Sequence, residues 1–247
     1  MDRIAQWLGI KQLKSIEHET ACGWQEEING KLKNIRPQRL RGIPLNEIRF
    51  VVFDTETTGF YPKKGDELLS IGAVVSQNGE IKEETFHRFI NPHRKVPQVV
   101  TELTGITQEQ ADAGEPAVVV IRDFLDFAGT CIFVGHSIEF DFCFLNCKLK
   151  QLGCHGFNHP YLDTHWLAKA MYPCYADLSL DGLLNLFQLE AVGRHTALGD
   201  AILTAKVLNI LLNKLNCQRF YDYIDLRNYI QSHNMQTALT GGRNLGF

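Results

Sequence analysis

The sequence predicts an α/β fold with a mixed five-stranded sheet flanked by helices. A short apolar run of strand-forming residues, Arg49–Phe53, is typical of a buried central strand. Two further strand-like segments, Leu68–Val75 and Glu80–Ile90, flank the dipeptide Asn78-Gly79, which is a strong hairpin signal. The pattern then becomes helix–strand–helix–strand–helix, so the three antiparallel strands belong to a mixed sheet covered by helices.

The second half of the predicted domain alternates helices with short strands. Pro116–Ala128 is predicted as a helix, Cys131–Val134 as a buried strand and Ile138–Leu152 as a helix. Apolar residues define one face of that last helix: Phe140, Phe144, Leu145, Leu149 and Leu152. Tyr161–Leu162 is predicted as the fifth strand, and the chain from there to about residue 214 is predicted to be helical.

Helical extensions are predicted on both sides of a domain at residues 49–213. Residues 1–48 hold a predicted amphipathic helix that begins near Ile4, a polar helix at about residues 23–33, and a basic run from Lys31 to Arg41 that we interpret as a linker. Residues 214–247 hold an aromatic stripe between Phe220 and Ile230, which we predict to be a helix that faces the core, with a partner-binding face as the alternative. The tail, Met235–Phe247, is predicted to be flexible.

Composition limits the class of protein. Of the 247 residues, 45% are hydrophobic and 21% are charged, which is typical of a globular protein with ample apolar surface to bury. The net charge of −3 and the pI near 6.3 argue against a protein that coats DNA, but not against a nuclease that collects carboxylates around divalent cations. Since no apolar segment is long enough for a bilayer and the N-terminus lacks a signal-peptide layout, we expect a cytoplasmic protein with no membrane partner.

The seven cysteines indicate a reduced protein, because their number is odd and no C-x-x-C spacing occurs. Cys131 and Cys143 lie among apolar residues and are predicted to be core thiols. A zinc site around Cys154 and His155 is disfavoured, since the usual ligand spacings are missing.

Two carboxylates follow the first predicted strand. Asp54 and Glu56 are two positions apart, so a strand projects both from one face. There they repel each other unless a cation or a proton lies between them. Because a D-x-E pair is common by chance, an ordinary acidic turn after a strand is the alternative interpretation at this point.

A third carboxylate lies among aromatic residues. Asp141 falls in the first turns of a predicted helix that follows a strand ending at Gly135, with Ser137 as the predicted N-cap. We expect Glu139 to face solvent and Asp141 to face the protein. An acid in these surroundings is either a capping residue or a metal ligand, and the local sequence leaves both open.

The last acid, Asp200, lies early in a helix whose later positions are mostly apolar, so its side chain is predicted to point toward the sheet. His195 precedes that helix in a loop. Taken alone, the pair is interpreted as a loop residue and a buried acid with a partner, although histidine is the side chain best suited to take a proton near neutral pH.

Together, these residues resemble the three motifs of the DEDDh exonuclease family, which includes the proofreading epsilon subunit of bacterial DNA polymerase III. The matching segments are Asp54-x-Glu56-x-Thr58-Gly59, Gly135-His136 with Phe140-Asp141, and His195-x-x-x-x-Asp200-Ala201. Leu103-Thr104-Gly105 and Leu162-Asp163-Thr164 also look like family segments. The resemblance covers about residues 49–213, and a histidine five residues before the last aspartate indicates the histidine branch.

The resemblance implies a ribonuclease H-like fold and a 3′→5′ exonuclease that uses two divalent cations, Mg²⁺ or Mn²⁺. Asp54, Glu56, Asp141 and Asp200 would bind the cations, and His195 would take a proton from the attacking water. Each cycle would release a nucleoside 5′-monophosphate.

Five residues are implied to surround the terminal nucleotide: Thr57, Thr58, Phe60, Leu103 and Thr104. Backbone groups there would bind the 3′-hydroxyl, while Phe60 and Leu103 would pack against the last base, so we expect little base specificity. Ser137 and Ser70 depart from the family, in which many members have an asparagine and an acid at these positions. Neither position is a metal ligand in the family, so the departures bear on substrate fit.

The implied partner is the 3′ end of a nucleic acid, with single-stranded DNA favoured and RNA trimming as the alternative. Association with a DNA polymerase is an alternative to a free-standing enzyme. A non-catalytic scaffold that binds a polymerase or a nucleic acid is a further interpretation, but such a protein would have no need to keep the five catalytic positions together.

Overall fold

A computed structural model of the chain describes residues 23–35, 40–215 and 221–241, with side chains to residue 233 in the last range. The predicted amphipathic helix near Ile4 lies outside these residues. None of the helices in the described ranges is long and apolar enough to cross a membrane.

The fold is built on one five-stranded sheet with the order β3-β2-β1-β4-β5. β1 pairs antiparallel with β2, β2 pairs antiparallel with β3, and β4 and β5 continue the sheet in parallel with β1. The strands are β1 (Phe50–Thr57), β2 (Leu68–Gln77), β3 (Glu80–Phe89), β4 (Ile132–Gly135) and β5 (Tyr161–Asp163). The predicted mixed five-stranded sheet flanked by helices is therefore confirmed.

Nine helices accompany the sheet within the described residues. The described part of α1 spans residues 23–34. The others are α2 (Gln98–Thr104), α3 (Gln108–Asp112), α4 (Ala117–Ala128), α5 (Glu139–Gln151), α6 (Thr164–Met171), α7 (Leu180–Leu186), α8 (Ala197–Lys214) and α9 (Tyr223–Gly241). The sequence analysis did not predict α2 and α3.

The central strand divides the core into two layers. Val51 and Phe53 belong to a cluster on the face covered by α1, α4 and α5, and the Phe53 ring lies 5.3 Å from that of Phe124 on α4. Phe50 and Val52 point the other way, into a cluster covered by α6 to α9. Each fully buried phenylalanine contributes about 2–3 kcal/mol, so the alternation along β1 holds both helical layers to the sheet.

The described part of the N-terminal extension packs into the first layer. Ile28 on α1 is completely buried in the cluster that contains Phe53. Lys31 pairs with Glu27 one turn earlier and with Asp126 on α4. Lys31 therefore belongs to a docked helix, and our interpretation of the whole basic run as a linker is wrong at this position.

The C-terminal extension packs into the second layer. Tyr223 and Leu226 on α9 are buried in its core, which confirms the prediction for this part of the aromatic stripe, whereas Tyr221 precedes the helix and is exposed. Phe220 lies outside the described residues. The helical backbone continues to Gly241, beyond Met235, where we predicted the flexible tail to begin.

Two local predictions are wrong. Ser137 does not cap α5 with its side chain; its backbone adopts φ = 62°, and its N–H donates to Asp163. Cys143 is exposed on α5 and is not a core thiol, whereas Cys131 is buried as predicted. Both errors arise because the partner or the covered face is supplied by segments distant in sequence.

Candidate metal centre

The carboxylate pair of β1 lies on the strand itself and continues the alternation of the core. Asp54 and Glu56 extend the face that carries Phe50 and Val52, so they point toward the layer of α8, whereas Thr55 points toward α5. β1 pairs with β4 only as far as Val52. The end of β1 that bears the acids therefore extends beyond its parallel neighbour.

A glycine in β2 allows α8 to approach these acids. Gly72 is the cross-strand partner of Asp54, and a Cβ built on it would lie 2.2 Å from the backbone carbon of Ala197, the first residue of α8. Thr196 caps the helix by accepting the N–H of Gly199 at 3.1 Å. The first turn of α8, which includes Asp200, is thus placed against the end of β1.

Asp54, Glu56 and Asp200 come together at this point. Each offers a carboxylate oxygen, and these oxygens lie within 4.8 Å of one another. Among the described residues, this is the one group of histidine, cysteine and acidic side chains with ligand atoms that close, and the disfavoured zinc residues Cys154 and His155 are not part of it. Oxygen ligands of this kind suit Mg²⁺ or Mn²⁺.

The charges in the cluster are unfavourable without a counter-ion. Burial, and then repulsion from Asp141, Glu56 and Asp200, raise the pKa of Asp54 well above its usual value. Burial, followed by repulsion from Asp200 and Asp141, raises the pKa of Glu56 to about 8. A divalent cation among these oxygens would relieve both effects, so the donor set fits such an ion.

Asp141 lies beside the cluster on the other side of β1. Its Oδ1 accepts the backbone N–H of Thr55 at 2.9 Å and the Thr55 hydroxyl at 2.6 Å. Burial raises the pKa of Asp141 to about 7, although the hydrogen bonds from Thr55 act in the opposite direction. As expected, Asp141 is buried and Glu139 is exposed.

The start of α5 is fixed by Asp163, which the sequence analysis noted only as part of a family segment. Its two oxygens accept the backbone N–H groups of Ser137 at 3.0 Å and Ile138 at 3.1 Å. Thus an acid at the end of β5 binds the backbone N–H groups of the two residues that directly precede α5, the helix that carries Asp141.

His195 lies in the loop before α8 in a left-handed conformation, with φ = 61°. Its backbone N–H donates to Oδ1 of Asp200 at 3.3 Å. The preceding residue, Arg194, contacts Oδ2 of Asp200 and forms a two-point ion pair with Asp181 of α7, at 2.6 and 3.0 Å. Sequence reasoning missed Arg194 and Asp181, since only the fold brings them to the acids.

The residues implied to contact substrate divide into exposed and buried side chains. Phe60 is 74% exposed and Leu103 is 55% exposed, so both can be reached by a ligand. The Thr57 hydroxyl donates to Gly59, and Thr58 and Thr104 are buried with their hydroxyls in local hydrogen bonds. Contact between these residues and a substrate stays a prediction.

The chain matches a known family over most of the domain. The RNase T family, described as "Exonuclease", matches residues 51–208. The 3′-5′ exonuclease DinG of Bacillus subtilis (strain 168) is 35% identical over 171 residues, which is 69% of this chain and 18% of that protein. A DNA polymerase III subunit epsilon-like protein of Rhodobacter capsulatus is 37% identical over 178 residues, 71% of this chain and 25% of that protein. The chain thus spans a quarter or less of the length of these relatives.

Among solved structures, the nuclease domain of 3′hExo, a DEDDh family member bound to rAMP, has the same fold. It superposes with a TM-score of 0.60 at 18% sequence identity and covers 68% of this chain and 94% of that chain. At this identity the likeness concerns the fold, which is the ribonuclease H-like fold that the resemblance implied.

Proposed function

The chain belongs to the DEDDh exonuclease family, and on that premise we propose that it is a metal-dependent 3′→5′ exonuclease that releases nucleoside 5′-monophosphates. The observation that carries this proposal is the cluster of Asp54, Glu56 and Asp200, whose oxygens lie within 4.8 Å of one another at the end of β1. Burial and mutual repulsion make this arrangement costly unless a cation is bound there.

We assign the roles of the site as follows. Asp54, Glu56 and Asp200 would hold one divalent cation, and Asp141 would help to hold a second, with Mg²⁺ or Mn²⁺ as the ions. When bound, the cations would activate the attacking water and stabilise the leaving 3′ oxygen. His195 would accept a proton from that water, because the hydrogen bond from its backbone N–H to Asp200 ties its loop to the cluster.

Single-stranded DNA is the substrate we favour, and RNA is the alternative. The relative named as a DNA polymerase III subunit epsilon-like protein supports the first, and the rAMP-bound nuclease domain supports the second. The epsilon-like relative also supports a polymerase as a partner, with a free-standing enzyme as the alternative.

The direct test is cleavage of end-labelled oligonucleotides by the full chain. Single-stranded DNA and its RNA counterpart, each labelled at the 5′ or the 3′ end, are incubated with Mg²⁺, Mn²⁺ or EDTA, beside an Asp54→Ala variant. We expect metal-dependent release of mononucleotides from the 3′ end, lost in the variant and faster on DNA. If folded protein cleaves neither polymer with any metal, the non-catalytic scaffold becomes the better explanation.

Leu103 provides a test of substrate binding. Its side chain lies exposed on α2, and Val99, one turn earlier, is also exposed at 69%. We expect Leu103→Ala to raise KM and to reduce processivity, because the terminal base loses an apolar surface worth about 1–3 kcal/mol. Val99→Ala serves as the matched control on the same helix. A Leu103→Ala variant with unchanged KM and processivity would remove this residue from the binding site.

A further inference from the structure

A basic side chain is built into the edge of the carboxylate cluster. Arg194 holds Asp181 through Nε and Nη2, at 2.6 and 3.0 Å, and its third nitrogen, Nη1, contacts Oδ2 of Asp200. The side chain of Arg194 is 19% exposed and that of Asp200 is 9% exposed. The guanidinium is therefore fixed between two acids in a position that is largely shielded from water.

Both oxygens of Asp200 are engaged in this arrangement. Oδ2 meets the guanidinium of Arg194, and Oδ1 accepts the backbone N–H of His195 at 3.3 Å. Asp200 is also one of the three acids whose oxygens group within 4.8 Å. A divalent cation held by that group must share Asp200 with a fixed positive charge, and two cations on one carboxylate repel each other.

We propose that Arg194 lowers the affinity of the cluster for its divalent cation by competing for Asp200, and that Asp181 limits this competition by giving the guanidinium a second carboxylate. This inference rests on the metal binding in the proposed function. It makes Arg194 a positioning residue that acts through Asp200. It also links metal binding to the loop of His195, because Arg194 directly precedes that residue.

The proposal predicts opposite effects for the two partners of one ion pair. Arg194→Met removes the competing charge, so we expect the dissociation constant for Mn²⁺ to fall about tenfold. Asp181→Asn removes one of the two carboxylates with which Arg194 pairs, so the guanidinium then pairs with Asp200 alone. Because this strengthens the competition for Asp200, we expect Mn²⁺ to bind several-fold more weakly. A merely structural role for the ion pair would weaken metal binding in both variants.

The experiment measures Mn²⁺ binding without nucleic acid. The full chain is treated with EDTA, dialysed and titrated with MnCl₂, and free Mn²⁺ is followed by electron paramagnetic resonance. Arg122→Met is the matched control, since Arg122 pairs with Asp123 on α4, away from the cluster. We expect this control to bind Mn²⁺ as the wild type does. Circular dichroism and thermal unfolding check that each variant folds.

A double variant shows whether Asp181 influences Mn²⁺ binding through Arg194 or directly through its own negative charge. If Asp181 acts through Arg194, the variant with both Arg194→Met and Asp181→Asn binds Mn²⁺ as tightly as Arg194→Met alone. Weaker binding by the double variant than by Arg194→Met would overturn the role given to Asp181. If Arg194→Met fails to fold, Asp181→Asn still decides, because unchanged or tighter binding in that variant contradicts the proposal.

The outcomes also distinguish this inference from the proposed function. A wild-type chain that binds no Mn²⁺ contradicts both. A wild-type chain that binds Mn²⁺, with an Arg194→Met variant whose affinity is equal or lower, overturns the competition and leaves the metal-dependent exonuclease standing.

Discussion

Asp54 is placed by the fold where its charge is disfavoured, since burial and three neighbouring acids all raise its pKa. We expect Asp54→Asn to lower nuclease activity at least about a hundredfold, because a proposed metal ligand is lost. The same change is expected to raise the thermal midpoint measured in EDTA, because a repelled carboxylate is replaced by a neutral amide of the same shape. Added Mn²⁺ is expected to stabilise the wild type and not the variant. A lower midpoint for Asp54→Asn in EDTA would show that Asp54 carries no such electrostatic cost.

Burial of His136 makes the stability of the protein depend on pH. Burial, followed by the electrostatic effects of His165 and Arg194, lowers the pKa of His136 to about 4, although Asp181 acts in the opposite direction. The unfolded chain binds this proton at the usual pKa near 6.5, whereas the folded chain binds it only near 4. Stability from this group is therefore fully present above about pH 6.5 and is lost as the pH falls toward 4, by up to about 3 kcal/mol.

The measurement is urea unfolding at pH 7 and pH 4.5 for the wild type and for His136→Asn. We expect the variant to lose less unfolding free energy between the two pH values than the wild type, because it has no proton to take up in the unfolded state. If the wild type and the variant lose the same unfolding free energy between these pH values, groups other than His136 cause the acid sensitivity. The His136 ring lies 3.0 Å from the Thr164 hydroxyl, so the variant is also expected to be less stable at pH 7.

The burial or exposure of a single residue was predictable where the residues next to it in the sequence form its surroundings. The apolar residues around Asp141 predicted its burial, and the solvent exposure of Glu139 followed from the same pattern. Ser137 was assigned wrongly as an N-cap, because its backbone adopts φ = 62° and its own N–H is held by Asp163, 26 positions later. No local pattern contains such a partner.

At the scale of elements, the contact between β2 and α8 depends on Gly72. A Cβ at this position would overlap the backbone of Ala197 and Leu198, both 2.2 Å away. We expect Gly72→Ala to destabilise the protein by about 1–3 kcal/mol and to reduce metal affinity, because α8 must move away from β1 and take Asp200 with it. Mn²⁺ titration and urea unfolding measure the two effects.

Gly129→Ala is the comparison for this prediction, since a Cβ at Gly129 meets nothing within 4 Å, although its φ of 54° adds backbone strain. We expect it to affect stability without affecting metal affinity. If Gly72→Ala binds Mn²⁺ with wild-type affinity, the close packing of α8 on β2 is not what positions Asp200.

The elements were predictable to different degrees. The short apolar run of β1 and the apolar face of α5 predicted both elements, with ends within a few residues of those observed. The short helices α2 and α3 were missed, because seven and five residues are too few to show a period. A signal for α3 was nevertheless present: Thr107 and Gln110 form a capping box.

At the scale of the whole molecule, α1 completes the core of the domain instead of lying outside it. Ile28 has no exposed surface, and the backbone carbonyl of Leu32 lies 2.7 Å from the ring of His159. We expect Ile28→Ala to lower the free energy of unfolding by about 2–5 kcal/mol. Glu26→Ala, at an exposed position of the same helix, is the control. Equal stabilities in urea would mean that α1 is not part of the cooperative core.

This packing was not predictable from the sequence. The segment at residues 23–33 was predicted as a polar helix, yet its apolar residues contact parts of the chain more than 90 positions away, as the pairing of Lys31 with Asp126 also shows. The motifs, through the family that they resemble, implied which carboxylates would gather, and the structure brings Asp54, Glu56 and Asp200 together. They could not predict that Arg194 would join them.

The alternation along β1 makes the cluster a reporter of assembly. Asp54 and Glu56 meet Asp200 only when α8 is docked on one face of the sheet, and Asp141 reaches Thr55 only when α5 is docked on the other. During refolding, a chain with one layer docked lacks one of these four acids, Asp141 or Asp200. The moment at which refolding protein begins to take up Mn²⁺ is therefore expected to mark the docking of α8, which completes the group of Asp54, Glu56 and Asp200, and a stopped-flow experiment can time this step.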